Sequence, residues 1–195
     1  LVETVQVAGP KRDEVTLKIK ACGVCHSDFS ATNGTIPIPP PLVLGHEACG
    51  VVEEVGEGVN NIKVGDTAIV SWVPMCGEGK YCAMGRPALC DVGARATICL
   101  PDGTSRLTDS DGNALNHFAG VSVMAEYATV HRDNIILIDP EIPAAAAALV
   151  GCAVMTGVGA VLNTAKVQPG SSVVVIGAGG IGLNVIQGAA LAGAE

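Results

Sequence analysis

Aromatic residues are scarce: one Trp, two Tyr and two Phe make up 3% of the 195 positions. The core must therefore be built from Val, Ile, Leu and Ala. Charge is also sparse, at 15% against 49% hydrophobic residues, so a sizeable core is readily buried. Basic residues are the fewest, 11 against 19 acidic, for a net charge of −8. That argues against nucleic acid or an anionic membrane as a partner, since both select for clustered Lys and Arg. There is no heptad repeat and no basic run. No leader-like segment opens the chain, although residue 1 is Leu rather than Met.

Two long runs lack charge, 142–164 and 171–194. Length alone would suit membrane-spanning helices. Both are rich in Gly and Ala and interrupted by Gly or Pro, so buried helices and a buried strand are the better reading. The eight cysteines are an even number, but their spacing is not that of a small secreted scaffold. Reduced thiols and metal are expected, hence a cytoplasmic chain.

Chemistry concentrates at Gly23-Val24-Cys25-His26-Ser27-Asp28. It sets a thiol, an imidazole, a hydroxyl and a carboxylate side by side. A lone Cys is more often a small buried apolar residue than a ligand. Here it has company. His46, in Gly45-His46-Glu47, follows Cys25 by 21 positions, and Cys152, after Gly151, follows it by 127. Thiolate and imidazole together suit zinc. A second group, Cys76, Cys82 and Cys90, sits in a Gly-rich lobe. A regular C-x2-C-x2-C run would put a further Cys at position 79, where Gly79 stands. The lobe therefore reads as an incomplete structural zinc site or as three free thiols.

Residues 15–22 alternate apolar and polar, which predicts a half-buried strand delivering Cys25. The prolines at 37 and 39–41 predict an extended loop over 31–41, with a rim beside a substrate as its functional reading. Strands are expected at 48–55, 67–73, 126–131 and 135–138, separated by Gly-rich turns. That spacing suggests a barrel or sandwich. Residues 91–120 read as turns and a hairpin. Pro140 and Pro143 open a helical run through 144–148 that ends near Gly151. Residues 172–176 read as a strand of the buried parallel type, and 183–192 as a helix. Between them lies Gly177-Ala-Gly179-Gly-Ile-Gly182. In strand–turn–helix context, G-x-G-x-x-G is a dinucleotide-binding fingerprint.

Taken together, these motifs resemble the zinc-dependent medium-chain alcohol dehydrogenase family, in the family's order and over essentially the whole chain. The stretch from Pro101 to Arg106, on through His117-Phe118 to Glu126-Tyr127, resembles the branch of aryl-alcohol and thiol-dependent formaldehyde dehydrogenases. The resemblance implies a mixed α/β fold. Residues 1–153 would be most of a GroES-like β-barrel catalytic domain. Residues 154–195 would be the first part of a Rossmann domain, a doubly wound parallel sheet. The chain would thus be an incomplete piece of its parent.

The resemblance also implies roles. Cys25, His46 and Cys152 would hold the catalytic zinc, with Asp28 orienting His46 and Glu47 behind the metal. Ser27 would accept the alcohol proton. His26 would contact the cofactor pyrophosphate, Gly177, Gly179 and Gly182 would form its turn, and Thr156 and Ile181 would flank the nicotinamide. Trp72, Phe118 and Ala119 would line the substrate pocket. Ser30 stands where many relatives keep a relay histidine. The implied reaction is hydride transfer between a primary alcohol, aromatic or medium-chain, and NAD, with NADP left open. A thiol-adduct formaldehyde dehydrogenase and a non-catalytic zinc-binding fragment are the alternatives. The parent would be a homodimer or homotetramer.

Overall fold

The computed structural model describes residues 2–95 and 97–195. Leu1 and Ala96, the latter inside the stretch expected to form turns, lie outside the described residues. The strands are β1 (Gln6–Val7), β2 (Glu14–Cys22), β3 (Leu42–Val43), β4 (Ala48–Val55), β5 (Thr67–Val70), β6 (Leu107–Thr108), β7 (Asn116–His117), β8 (Tyr127–His131) and β9 (Ile135–Leu137). The helices are α1 (His26–Thr32), α2 (Lys80–Ala83), α3 (Asp91–Arg95), α4 (Ala144–Ala148), α5 (Ala153–Gly159) and α6 (Gly180–Leu191).

The framework is a five-stranded sheet in the order β8-β2-β4-β5-β9, antiparallel throughout. Two small sheets, β1-β6 and β3-β7, flank it. The core is aliphatic, as the lack of aromatics requires. Val15, Leu17, Val52, Val70, Val123 and Val130 are among its fully buried members. A second cluster joins Cys49 and Ile69 of the sheet to Ala147 and Ala148 of α4. Alanine side chains let that helix lie close on β4 and β5.

Three expectations need correction. β2 is not half-buried at its start, because Glu14 and Thr16 are covered as well as Val15 and Leu17. Arg106 covers the polar face, donating from Nε to Glu14 at 2.8 Å, and the Thr16 and Thr129 hydroxyls pair at 2.8 Å. The stretch 91–120, read as turns and a hairpin, also holds α3 and β7, which pairs in parallel with the distant β3. Finally, 172–176 joins no sheet among the described residues, and Val174 and Ile176 are 88% and 98% exposed. A parallel strand gains its order from neighbours on both sides, and none is present here. The following helix, α6, does form. It crosses α5 at glycines: a Cβ on Gly157 would meet the Ile181 carbonyl at 2.7 Å, and one on Gly188 would meet Val158 Cα at 3.0 Å.

No single helix among the described residues is long and apolar enough to cross a membrane. One pair, Ala144–Gly151 with Ala153–Ala165, passes on length and composition together but is bent by 57°.

Candidate metal centre and cleft

The sheet register brings three distant segments to one end. Cys22 pairs with Ala48, and Ala48 pairs with Val70. Cys25 lies three residues past the first of these, His46 two residues before the second, and Trp72 two residues past the third. Gly151 is packed against the same edge: a Cβ there would meet the Val70 carbonyl at 2.5 Å. Glycine is thus required for α4 to deliver Cys152. The result is one group, Cys25, His46, Glu47 and Cys152, whose donor atoms all lie within 4.8 Å of one another.

The residues around it hold it still. Cys25 caps α1, and its N–H donates to Asp28 Oδ2 at 3.0 Å. The other oxygen, Oδ1, accepts from Gly45 N at 3.0 Å and lies 3.3 Å from His46 Nδ1. Asp28 and His46 are both buried. The Nδ1 contact leaves Nε2 for the thiols. Glu47 is buried behind, and a Cβ on Gly23 would meet its Oε2 at 2.1 Å. Glycine at 23 therefore makes room for that carboxylate. Burial disfavours charge on the His46 ring, but hydrogen bonds to Asp28 and Cys152 outweigh it and raise its pKa to about 10. Burial likewise opposes ionisation of Asp28, yet His46 and the Cys25 and Gly45 N–H groups bring its pKa below the usual carboxylate value.

A cleft of about 720 Å³ opens from this group. Trp72, Phe118 and Ala119 line it, with Ser27, His46 and Cys152 on its metal side. Phe118 and Trp72 meet the His46 ring edge-on, with centroids at 5.3 and 6.4 Å. Ser27 Oγ is 3.6 Å from Cys25 Sγ. The Pro-rich loop contributes Ile36, Pro37 and Ile38 to the rim. Sequence reasoning missed Leu89 and Ile98 in the lining, since neither belongs to a motif. Only the folding of the thiol lobe over the cleft brings them there.

The Cys76, Cys82 and Cys90 sulfurs form a second group within 4.8 Å. Burial works against the Cys90 thiolate, but backbone N–H groups and Cys76 hold its pKa at about 7. Cys22, Cys49 and Cys99 belong to neither group, and all eight cysteines are free thiols.

The other expected positions are more scattered. His26 lies outside both the donor group and the cleft lining, exposed on α1 with its ring edge-to-face against Phe29 at 5.6 Å. Thr156 precedes Gly157, whose backbone lies against the Ile181 carbonyl where α5 crosses the start of α6. Gly177 has φ +98°, which favours glycine, and a Cβ on Gly182 would strike the Gly177 carbonyl at 2.0 Å. Gly179 faces open space at the N-terminus of α6. That is a cradle a phosphate can approach.

A five-stranded antiparallel sheet presents a Cys/His/Cys donor group at one end, a ligand set of the kind that suits zinc, and a glycine-turn helix follows it. Residues 11–140 match the alcohol dehydrogenase GroES-like domain, and the chain belongs to that family. It is 46% identical over 198 residues to an alcohol dehydrogenase class-3 of Myxine glutinosa, with all of this chain and 52% of that protein covered. Among solved structures it is similar to an alcohol dehydrogenase zinc-binding domain protein from Burkholderia ambifaria, with a TM-score of 0.93, 35% identity and coverage of 100% of this chain and 53% of that one. It is also similar to a benzyl alcohol dehydrogenase from Acinetobacter calcoaceticus, with a TM-score of 0.84, 34% identity and coverage of 98% and 52%. The chain thus spans about half the length of these relatives.

Proposed function

We propose that this chain is part of a zinc-dependent oxidoreductase that transfers a hydride between a primary alcohol and NAD. The observation that carries it is the convergence of Cys25, His46 and Cys152 at the base of an apolar cleft. Two thiolates and an imidazole that gives up its proton on metal binding suit zinc, leaving a coordination position for a ligand from the cleft. When bound, zinc would supply Lewis-acid polarisation of the substrate oxygen. Asp28 fixes the ring of His46, and Glu47 adds a buried carboxylate behind the group. Ser27 Oγ, on the cleft side, is placed to take the hydroxyl proton. Trp72 and Phe118 exclude water and orient an apolar substrate.

His26, Thr156, Ile181 and the 177–182 turn form the cofactor side, with the pyrophosphate on the N-terminus of α6. NADP remains open beside NAD. The division is residues 1–153 for the zinc-binding catalytic domain and 154–195 for the first part of the dinucleotide-binding domain. The parent works as a homodimer or homotetramer in the cytoplasm, where the free thiols stay reduced.

An aromatic or medium-chain alcohol fits better than a thiol adduct of formaldehyde. The rim from residues 31–41 carries no charge and offers Ile36, Pro37 and Ile38 to the cleft. The test is to extend the chain to the length of its relatives and compare benzyl alcohol with formaldehyde plus thiol. NAD reduction with benzyl alcohol is expected. Turnover of the thiol adduct alone would select the second reading, and no turnover of either would refute the dehydrogenase assignment.

A further inference from the structure

The thiol lobe looks one ligand short in sequence, because Gly79 stands where a fourth cysteine would complete the set. The structure shows what borders the gap. Cys76 Sγ lies 3.9 Å from Cys82 Sγ and 3.6 Å from Cys90 Sγ. Sulfurs arranged tetrahedrally around zinc at about 2.3 Å stand roughly 3.8 Å apart. Two of the three sulfur pairs are therefore at ligand spacing, and the third lies within 4.8 Å. Gly79 N–H donates to Cys76 Sγ at 3.3 Å, the kind of outer contact that supports a thiolate ligand.

A Cβ built on Gly79 would touch two atoms: Cys76 Sγ at 3.4 Å and Asp91 Oδ2 at 3.4 Å. The space that a cysteine side chain would fill is thus flanked by a thiol on one side and a carboxylate oxygen on the other. Asp91 follows Cys90 directly and starts α3. Its oxygens lie outside the 4.8 Å group that the three sulfurs form, and because its side chain is exposed it can turn toward them without leaving a packed site.

We propose that Asp91 supplies the fourth ligand of a structural zinc held by Cys76, Cys82 and Cys90. A closed site is the norm for structural zinc, and a carboxylate oxygen is an ordinary ligand at about 2.0–2.2 Å. Gly79 and Asp91 are then two halves of one substitution: the glycine vacates the position, and the carboxylate reaches it from the next turn of chain. The site is independent of the Cys25–His46–Cys152 group and of the reaction assigned to it. It also forms a wall of the cleft, because Leu89, Cys90 and Asp91 line it.

The test uses the Cys152→Ser chain, so that the metal counted belongs to the lobe. Zinc affinity is measured by chelator competition, and the ligand set is read from the absorption of the cobalt(II) form. One metal per chain is expected, with three thiolates in its spectrum. Asp91→Ala should weaken zinc binding by more than the roughly 10–100-fold that loss of an outer partner costs. Adding Gly79→Cys to Asp91→Ala should restore the affinity and give a four-thiolate spectrum. A lobe that binds no metal, or one that binds as tightly with Asp91→Ala because water closes it, overturns the proposal. If Asp91→Ala fails to fold, Asp91→Asn provides the same comparison on a nearly unchanged surface, and unchanged affinity there overturns the proposal as well.

Discussion

Asp28 Oδ1 stands 3.3 Å from His46 Nδ1, and its second oxygen accepts from the N–H of Cys25, the residue that caps α1. One carboxylate therefore fixes two members of the donor group, the ring directly and the thiol through its backbone. Asp28→Asn keeps the size but loses the charge that orients the imidazole. Zinc affinity of the catalytic group should fall roughly 10–100-fold. Chelator competition on the two proteins measures it, and equal affinities would remove Asp28 from the site.

His117 gives a pH dependence of stability. It is buried, and its Nε2 accepts the Arg106 backbone N–H at 3.2 Å. Burial first, then the Arg106 charge, lowers its pKa from 6.5 to about 4. The folded state thus binds the proton less well than the unfolded state. The stabilisation is complete above about pH 6.5 and is lost as pH falls toward 4, amounting to about 3 kcal/mol. Urea titrations at pH 7 and pH 4.5 should show the loss in wild type, and His117→Gln should flatten it. An equal pH slope in the variant would assign the acid sensitivity elsewhere.

Arg106 and Glu14 are a buried pair 92 positions apart in sequence. Arg106→Leu leaves the Glu14 carboxylate without its cation. The expected cost is about 3–5 kcal/mol, typical of a broken buried pair. Thermal melts would measure it, and a change under 1 kcal/mol, roughly a surface-pair value, would show that the pair is dispensable.

Much of this was legible in sequence because the motifs are local. Gly23 to Asp28, Gly45 to Glu47 and Gly151-Cys152 each declare themselves within six residues. Their convergence needed the sheet register, which pairs Cys22 with Ala48 and Ala48 with Val70. Arg106 was invisible as a core residue, since a buried arginine has no signal apart from its distant partner. Asp91 was equally hidden, because a carboxylate beside Cys90 matters only once Gly79 is seen to leave the space between them. The strand expected at 172–176 shows the opposite failure. Its β-branched run is a strand signal, but among the described residues it pairs with no neighbour and forms no strand.

Trp72 lines the cleft and is exposed, while Phe118 is buried beside His46. Trp72→Ala should widen the cleft. In a chain extended to the length of its relatives, the ratio of kcat/KM for branched over straight primary alcohols should rise about tenfold, in the range of one to a few methylenes in an apolar pocket. An unchanged ratio would show that Trp72 does not shape the pocket.

The central claim is that Cys25, His46 and Cys152 hold one zinc. Metal analysis of the wild-type chain and of Cys152→Ser, both purified with zinc present, tests it most directly. The variant should contain one zinc fewer per chain. Equal zinc in the two proteins would contradict the assignment of this group as the catalytic metal site.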